Sequence, residues 1–188
     1  MTGAAAQAEA LLGALRALNR RVAVLVGAGL LACAALVLAD IALRRVHASF
    51  GGTDEISGYV MAIATAWGMG YALMELGHVR IDILRTRGGP VFRAVFDLFA
   101  LLTLAGTVSL IALRAWPVVE RSLANSSRAN TPLETPLALV QIPWFAGWIW
   151  FALMAWLTFI AALVLVCNRE YGAADRAIGA LGEAEALE

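Results

Sequence analysis

Charge is what this sequence has least of. Only 15% of its 188 residues are charged, 14 acidic and 14 basic, while 61% are hydrophobic. Lysine is absent, so every fixed positive charge is an arginine; this reads as a compositional bias without functional weight. Cysteine is almost absent. Cys33 and Cys167 fall in separate apolar stretches and form no CxxC pair, which argues against thiol–disulfide chemistry and zinc ligation. The only imidazoles, His47 and His78, lie outside the charge-free segments where a membrane haem would need its axial ligands. Zero net charge removes the general case for nucleic-acid binding. No Walker motif, nucleophile–base set or metal-ligand cluster stands in the sequence, so neither an enzymatic role nor a cofactor is expected.

What the sequence has instead is uninterrupted apolar length. Residues 22–39, 56–74, 98–113 and 135–168 contain no Asp, Glu, Arg or Lys. A soluble helix needs a wet face, and these have none. The chain therefore reads as an all-α integral membrane protein with four transmembrane helices, at about 21–44, 55–77, 91–115 and 144–167. Eighteen charge-free residues rise roughly 27 Å as a helix, close to a hydrocarbon core of about 30 Å. The last stretch is too long for one span, and Pro136 and Pro143 divide it; a partly extended segment is expected before span four.

Residues 1–20 place Leu11, Leu12, Leu15 and Leu18 at helical spacing, which suits an amphipathic interfacial helix or a frayed Ala-rich start. Asn19-Arg20-Arg21 weakly resembles a twin-arginine signal and residues 30–33 a lipoprotein box, but three further apolar segments follow, so Arg20-Arg21 is expected to anchor topology. Gly58, Gly68 and Gly70 permit close helix approach in span two. Pro90 suits the first turn of span three, and Pro117 marks a kink or an end. Trp144, Trp148 and Trp150 read as an interfacial belt or as a patch against a partner helix. Residues 169–188 form a short tail. With both termini inside, nine arginines face the cytoplasm and five face out, which supports that orientation.

The charges cluster at predicted span ends. Asp40 and Arg44 are four apart and share a helix face, as do Arg93 and Asp97. A solute path would need ionic groups or broken helices at mid-bilayer. None of the ionisable residues is expected there, so the chain reads as a scaffold for another membrane protein or for lipid head groups. The densest group is Glu75 to Asp82, either a contact with a partner or lipid phosphate or a solvated helix end.

Leu36 to Arg45, Asp54-Glu55-Ile56, Glu75-Leu76-Gly77-His78-Val79-Arg80-Ile81-Asp82, Asn130 to Pro136 and Ile142-Pro143-Trp144 occur in order at the right span positions. Together they resemble the small membrane subunit of tripartite ATP-independent periplasmic (TRAP) transporters, the DctQ-like family, over about residues 20–168. The resemblance implies a four-helix subunit in a bacterial inner membrane. Its partners would be a large elevator permease subunit and a periplasmic solute-binding protein, with uptake of an organic acid driven by sodium. It assigns Asp40, Arg44, Glu55, Glu75, His78, Arg80 and Asp82 to subunit contact, lipid contact or helix-end pairing. Loops 45–54 and 116–137, with Arg121 and Arg128, are the candidates for receiving the binding protein. The competing readings are the small subunit of a tricarboxylate-type tripartite system, a membrane redox protein and a small self-assembling channel.

Overall fold

A computed structural model describes residues 3–77 and 85–179. Five α-helices follow in order: α1 (Gly3–Arg44), α2 (Thr53–Met74), α3 (Pro90–Ala124), α4 (Leu137–Cys167) and the short α5 (Tyr171–Ile178), with a 3₁₀ turn at Arg85–Arg87 before α3. The first four are long and apolar enough to cross a membrane. The chain is thus an all-α membrane protein with four candidate spans.

Three helix boundaries differ from the sequence reading, each for a local reason. Residues 3–20 are not a separate helix but the beginning of α1, which runs 42 residues without a break. No proline lies between Gly3 and Arg44 to stop it. Its buried stripe is Ala5, Ala8, Leu12, Leu15 and Asn19, while Leu11 and Leu18 are exposed. α3 begins at Pro90, whose missing N–H costs nothing in a first turn, but continues through Pro117 to Ala124. α4 begins at Leu137 and carries Pro143 inside it, so the expected extended segment is helical.

Each transmembrane helix stops in the same way. Leu76, Ser126 and Arg169 follow α2, α3 and α4 in the left-handed region, and His47 follows α1. In each case the next N–H returns five residues to the helix, as Gly77 to Ala72, Ser127 to Ser122, Glu170 to Leu165 and Ala48 to Leu43. This Schellman closure satisfies carbonyls that would otherwise be orphaned at the helix end. It normally uses glycine. Here four non-glycine residues adopt the conformation, which points to the value of closing the backbone at a membrane edge.

The helices contribute to two compact units. The first comprises residues 1–20, 70–108 and 152–188. Its core is built on small residues, among them Ala105, Ala155 and Ala162, with Met154 and Leu165 filling the larger space. Polar side chains inside it bond to their own helix: Asn19 Nδ2 donates to Leu15 O at 3.0 Å and Thr158 Oγ1 to Met154 O at 2.7 Å. Asn19 Nδ2 also reaches the Met154 sulfur at 3.0 Å, which ties α1 to α4.

The second unit comprises residues 21–69 and 109–151. A close crossing in it is between α2 and α4. A Cβ on Gly147 would lie 2.7 Å from Ala66 Cβ and 3.0 Å from the Ala66 carbonyl carbon, so only glycine fits without a shift. Trp67 stacks on Trp150, with centroids 5.8 Å apart, and its Nε1 donates to Pro143 O at 2.9 Å. Trp150 therefore packs within the chain. Gly58 and Gly68, expected to make the close approach, have nothing near them. The part of α1 in this unit is peripheral: its most apolar 18-residue window has no buried residue, against 39% in α4.

Gly147→Ala should lower stability by about 1–3 kcal/mol by overpacking this crossing. Gly68→Ala should be neutral or stabilising by up to about 1 kcal/mol. Thermal unfolding of the detergent-purified protein, followed by helical circular dichroism, checks both; equal effects would remove the crossing as a constraint.

Candidate functional site

Polar chemistry among the described residues concentrates at two helix-end clusters and one loop pair. The first cluster is built on Asp40, one turn before the end of α1 and with no exposed surface. Arg44, one turn on, donates its Nε to Asp40 Oδ2 at 2.9 Å. The same oxygen accepts the Thr53 hydroxyl at 2.9 Å, while Oδ1 accepts the Ser49 hydroxyl at 2.9 Å and the Phe50 N–H at 2.8 Å. One carboxylate thus fixes the end of α1, the loop 45–52 and the first residue of α2. The expected Asp40–Arg44 pair is present, and its acid is directed into the chain rather than outward.

The second cluster has no counterpart in the sequence pattern. Arg85, in the 3₁₀ turn and 6% exposed, donates Nε to Asp97 Oδ1 at 2.9 Å and Nη2 to Asp97 Oδ2 at 2.9 Å. The same Nη2 also meets the Asp175 carboxylate of α5. The geometry is a two-pronged fork on a buried acid, the strongest arrangement available to arginine. Burial opposes the charged guanidinium, but the bonds and charge of Asp97, then of Asp175, outweigh it and raise the Arg85 pKa above its usual value. The expected Arg93–Asp97 pair does not form. Arg93 donates its Nε to Gly88 O at 3.1 Å instead, because Arg85 already occupies the acid.

The loops that follow α1 and α3 meet in the second unit. Gly52 has a φ of +69°, and a Cβ there would fall 2.5 Å from the Leu133 side chain. Tyr59 donates its hydroxyl to Glu55 Oε1 at 2.7 Å. The Thr131 and Thr135 hydroxyls and the Leu133 N–H surround that carboxylate, yet none reaches full hydrogen-bond geometry on Oε2, which is buried without a partner. Ala129 N–H donates to Thr135 O at 2.9 Å and Leu137 N–H to Ser127 O at 2.9 Å, closing the 125–136 loop on itself. Arg121 and Arg128 are exposed beside it and on it, and among the described residues their guanidiniums donate to the carbonyls of Pro117 and Glu134.

Of the remaining candidates, Glu75 is exposed just after α2. His78, Arg80 and Asp82 lie outside the described residues. Among the described residues no group of His, Cys, Asp or Glu could hold a metal ion. None of the buried charged residues, Asp40, Arg85 and Asp97, lies midway along a candidate span.

A family model for the DctQ component of tripartite ATP-independent periplasmic transporters matches residues 33–168. The chain belongs to the DctQ family. No curated protein and no solved structure matches it. As a DctQ component it is a small membrane subunit of a TRAP transporter and works with partners in that complex. The match covers Asp40, Arg44 and Glu55 and the whole of α2, α3 and α4. It leaves outside it the first 32 residues and the Asp175 end of the buried arginine cluster.

Arg85→Met strips Asp97 of its guanidinium and should cost about 2–3 kcal/mol. That is below the roughly 3–5 kcal/mol of a wholly buried pair, because solvent screens the half-exposed Asp175. Arg85→Met with Asp97→Leu should recover most of the loss. Thermal unfolding of the two variants checks this, and a double variant no more stable than the single would remove the coupling.

Proposed function

We propose that this DctQ chain is the fixed transmembrane scaffold of its transporter. It supports a large elevator permease subunit in sodium-driven uptake of an organic acid, which a periplasmic binding protein delivers. The observation that carries the reading is the placement of charge. Among the described residues the buried charged side chains, Asp40, Arg85 and Asp97, are near helix ends and paired within the chain, and the long apolar middles of the spans offer a solute neither charge nor broken backbone. Substrate and coupling ion then belong to the partner. The family match favours this reading over the tricarboxylate-type, redox and channel alternatives.

The arginine distribution supports a bacterial inner-membrane placement with both termini cytoplasmic, which puts the loops 45–52 and 125–136 on the periplasmic side. Their mutual closure around Gly52, Leu133 and Glu55 supports a preformed outer surface, with Arg121 and Arg128 as exposed cations for an acidic patch on the binding protein. Glu75, His78, Arg80 and Asp82 are assigned to contact with the permease or with lipid on the opposite side.

Co-expression with the large permease should give a stable co-purified pair. In vesicles, the permease should accumulate solute only when this chain and the binding protein are both supplied. Arg121→Glu with Arg128→Glu should raise the binding-protein concentration for half-maximal uptake about fivefold while leaving the maximal rate in place. Uptake by the permease without this chain contradicts the scaffold role, and an unchanged half-saturation removes these arginines from docking.

A further inference from the structure

One groove in the first unit borders the Arg85 ion-pair cluster and carries further charged side chains that neither that cluster nor the family reading uses. It encloses about 410 Å³ between the first turns of α3 and the connection from α4 to α5. That volume lies in the range of small-molecule clefts, ~300–1,000 Å³. Its polar lining comprises Arg93, Asp97, Arg169, Glu170, Tyr171 and Asp175.

The charges in this lining are not equally engaged. Asp97 and Asp175 are held by Arg85. Arg93 uses its Nε on Gly88 O, and its two terminal nitrogens have no partner among the described residues. Arg169 and Glu170 have no side-chain hydrogen bond or ion pair among the described residues, and Glu170 does not cap α5 although it occupies the cap position. The cleft is thus lined by two guanidiniums with spare bonding capacity, by the Glu170 carboxylate and by the half-exposed Asp175, whose Oδ1 alone is taken by Arg85. Two unpaired guanidiniums on one cleft call for an anion with several acceptor oxygens, which is the geometry of a phosphate. The Glu170 carboxylate calls for a cation beside it. An isolated phosphate would answer only the first requirement and would stand against Glu170.

The location narrows the choice further. α3 starts at Pro90 and α4 ends at Cys167, so the groove sits at the ends of two candidate spans, the depth of lipid head groups. Val91, Val95 and Phe99, on the neighbouring face of α3, are 55%, 56% and 67% exposed and give acyl chains an apolar surface.

We propose that this groove binds the head group of a zwitterionic aminophospholipid, its phosphate on Arg93 and Arg169 and its primary ammonium on Glu170. The site uses residues outside the helix-end pairs and does not depend on the transport reading.

The full-length protein in mild detergent is incubated with dioleoyl-phosphatidylethanolamine, -phosphatidylcholine or -phosphatidylglycerol, or with inorganic phosphate, and retained lipid is counted by native mass spectrometry. Phosphatidylethanolamine should be held in preference to the other two, and phosphate should not displace it. Arg169→Gln should lower its retention about tenfold. Glu170→Gln should bring phosphatidylglycerol up to or above phosphatidylethanolamine, a reversal that unfolding cannot produce. Neither side chain makes a bond among the described residues, so both variants should keep their helical circular dichroism. Displacement by phosphate alone, equal retention of the three lipids, or undiminished retention in Arg169→Gln overturns the proposal.

Discussion

A charge inside hydrocarbon must bring its counter-charge and its hydrogen bonds with it, and this fold meets that condition with few side chains. Asp40 is wholly buried, and four donors from three successive segments close on it. Arg85 and Asp97 are buried on each other, with Asp175 completing the arginine's bonding. Each acid holds a connection as well as a charge: Asp40 the passage from α1 to α2, and Asp97 the turn that leads into α3. Backbone satisfaction follows the same logic at the helix ends, where four non-glycine residues take left-handed conformations and the next N–H bonds a last-turn carbonyl.

With the ends fixed, the middles of the spans are free to be apolar, and they differ in how they are used. α4 has the most buried apolar window of the four candidate spans. It carries Gly147 against Ala66, and its Trp150 against Trp67. Between Asn19 and Asp40, α1 has no buried residue at all. Lipid or a partner helix must cover that surface in the membrane, because exposed apolar area of this extent does not face water. Membership of the DctQ family implies partners in the complex, and the proposed scaffold role would give the surface a purpose.

The spans and the Asp40–Arg44 pair are legible in the sequence because both are local: one is a run of uncharged residues, the other a four-residue spacing. The same spacing rule misleads at Arg93 and Asp97. It identifies which residues share a helix face but cannot detect Arg85, twelve positions away, whose turn delivers a fork to the same acid. Pro143 and Pro117 read in the sequence as ends or bends of helices. Inside α4 the Pro143 carbonyl instead takes the Trp67 indole N–H, a tertiary bond no single-segment pattern contains. Glycine content points to positions 58, 68 and 70; the first two are open and Gly70 is buried, and a close approach falls at Gly147, where α2 supplies an alanine opposite. Asn19 reads as part of a basic motif, and only the packed fold reveals it as the polar tie between α1 and Met154.

A scaffold subunit must offer no route of its own across the bilayer. Vesicles containing this polypeptide as the sole protein, loaded with a sodium gradient and supplied with radiolabelled organic acids and a cognate binding protein, test that directly. The placement of its described buried charges near helix ends predicts accumulation no greater than in protein-free vesicles. Gradient-dependent accumulation by this chain alone would contradict it.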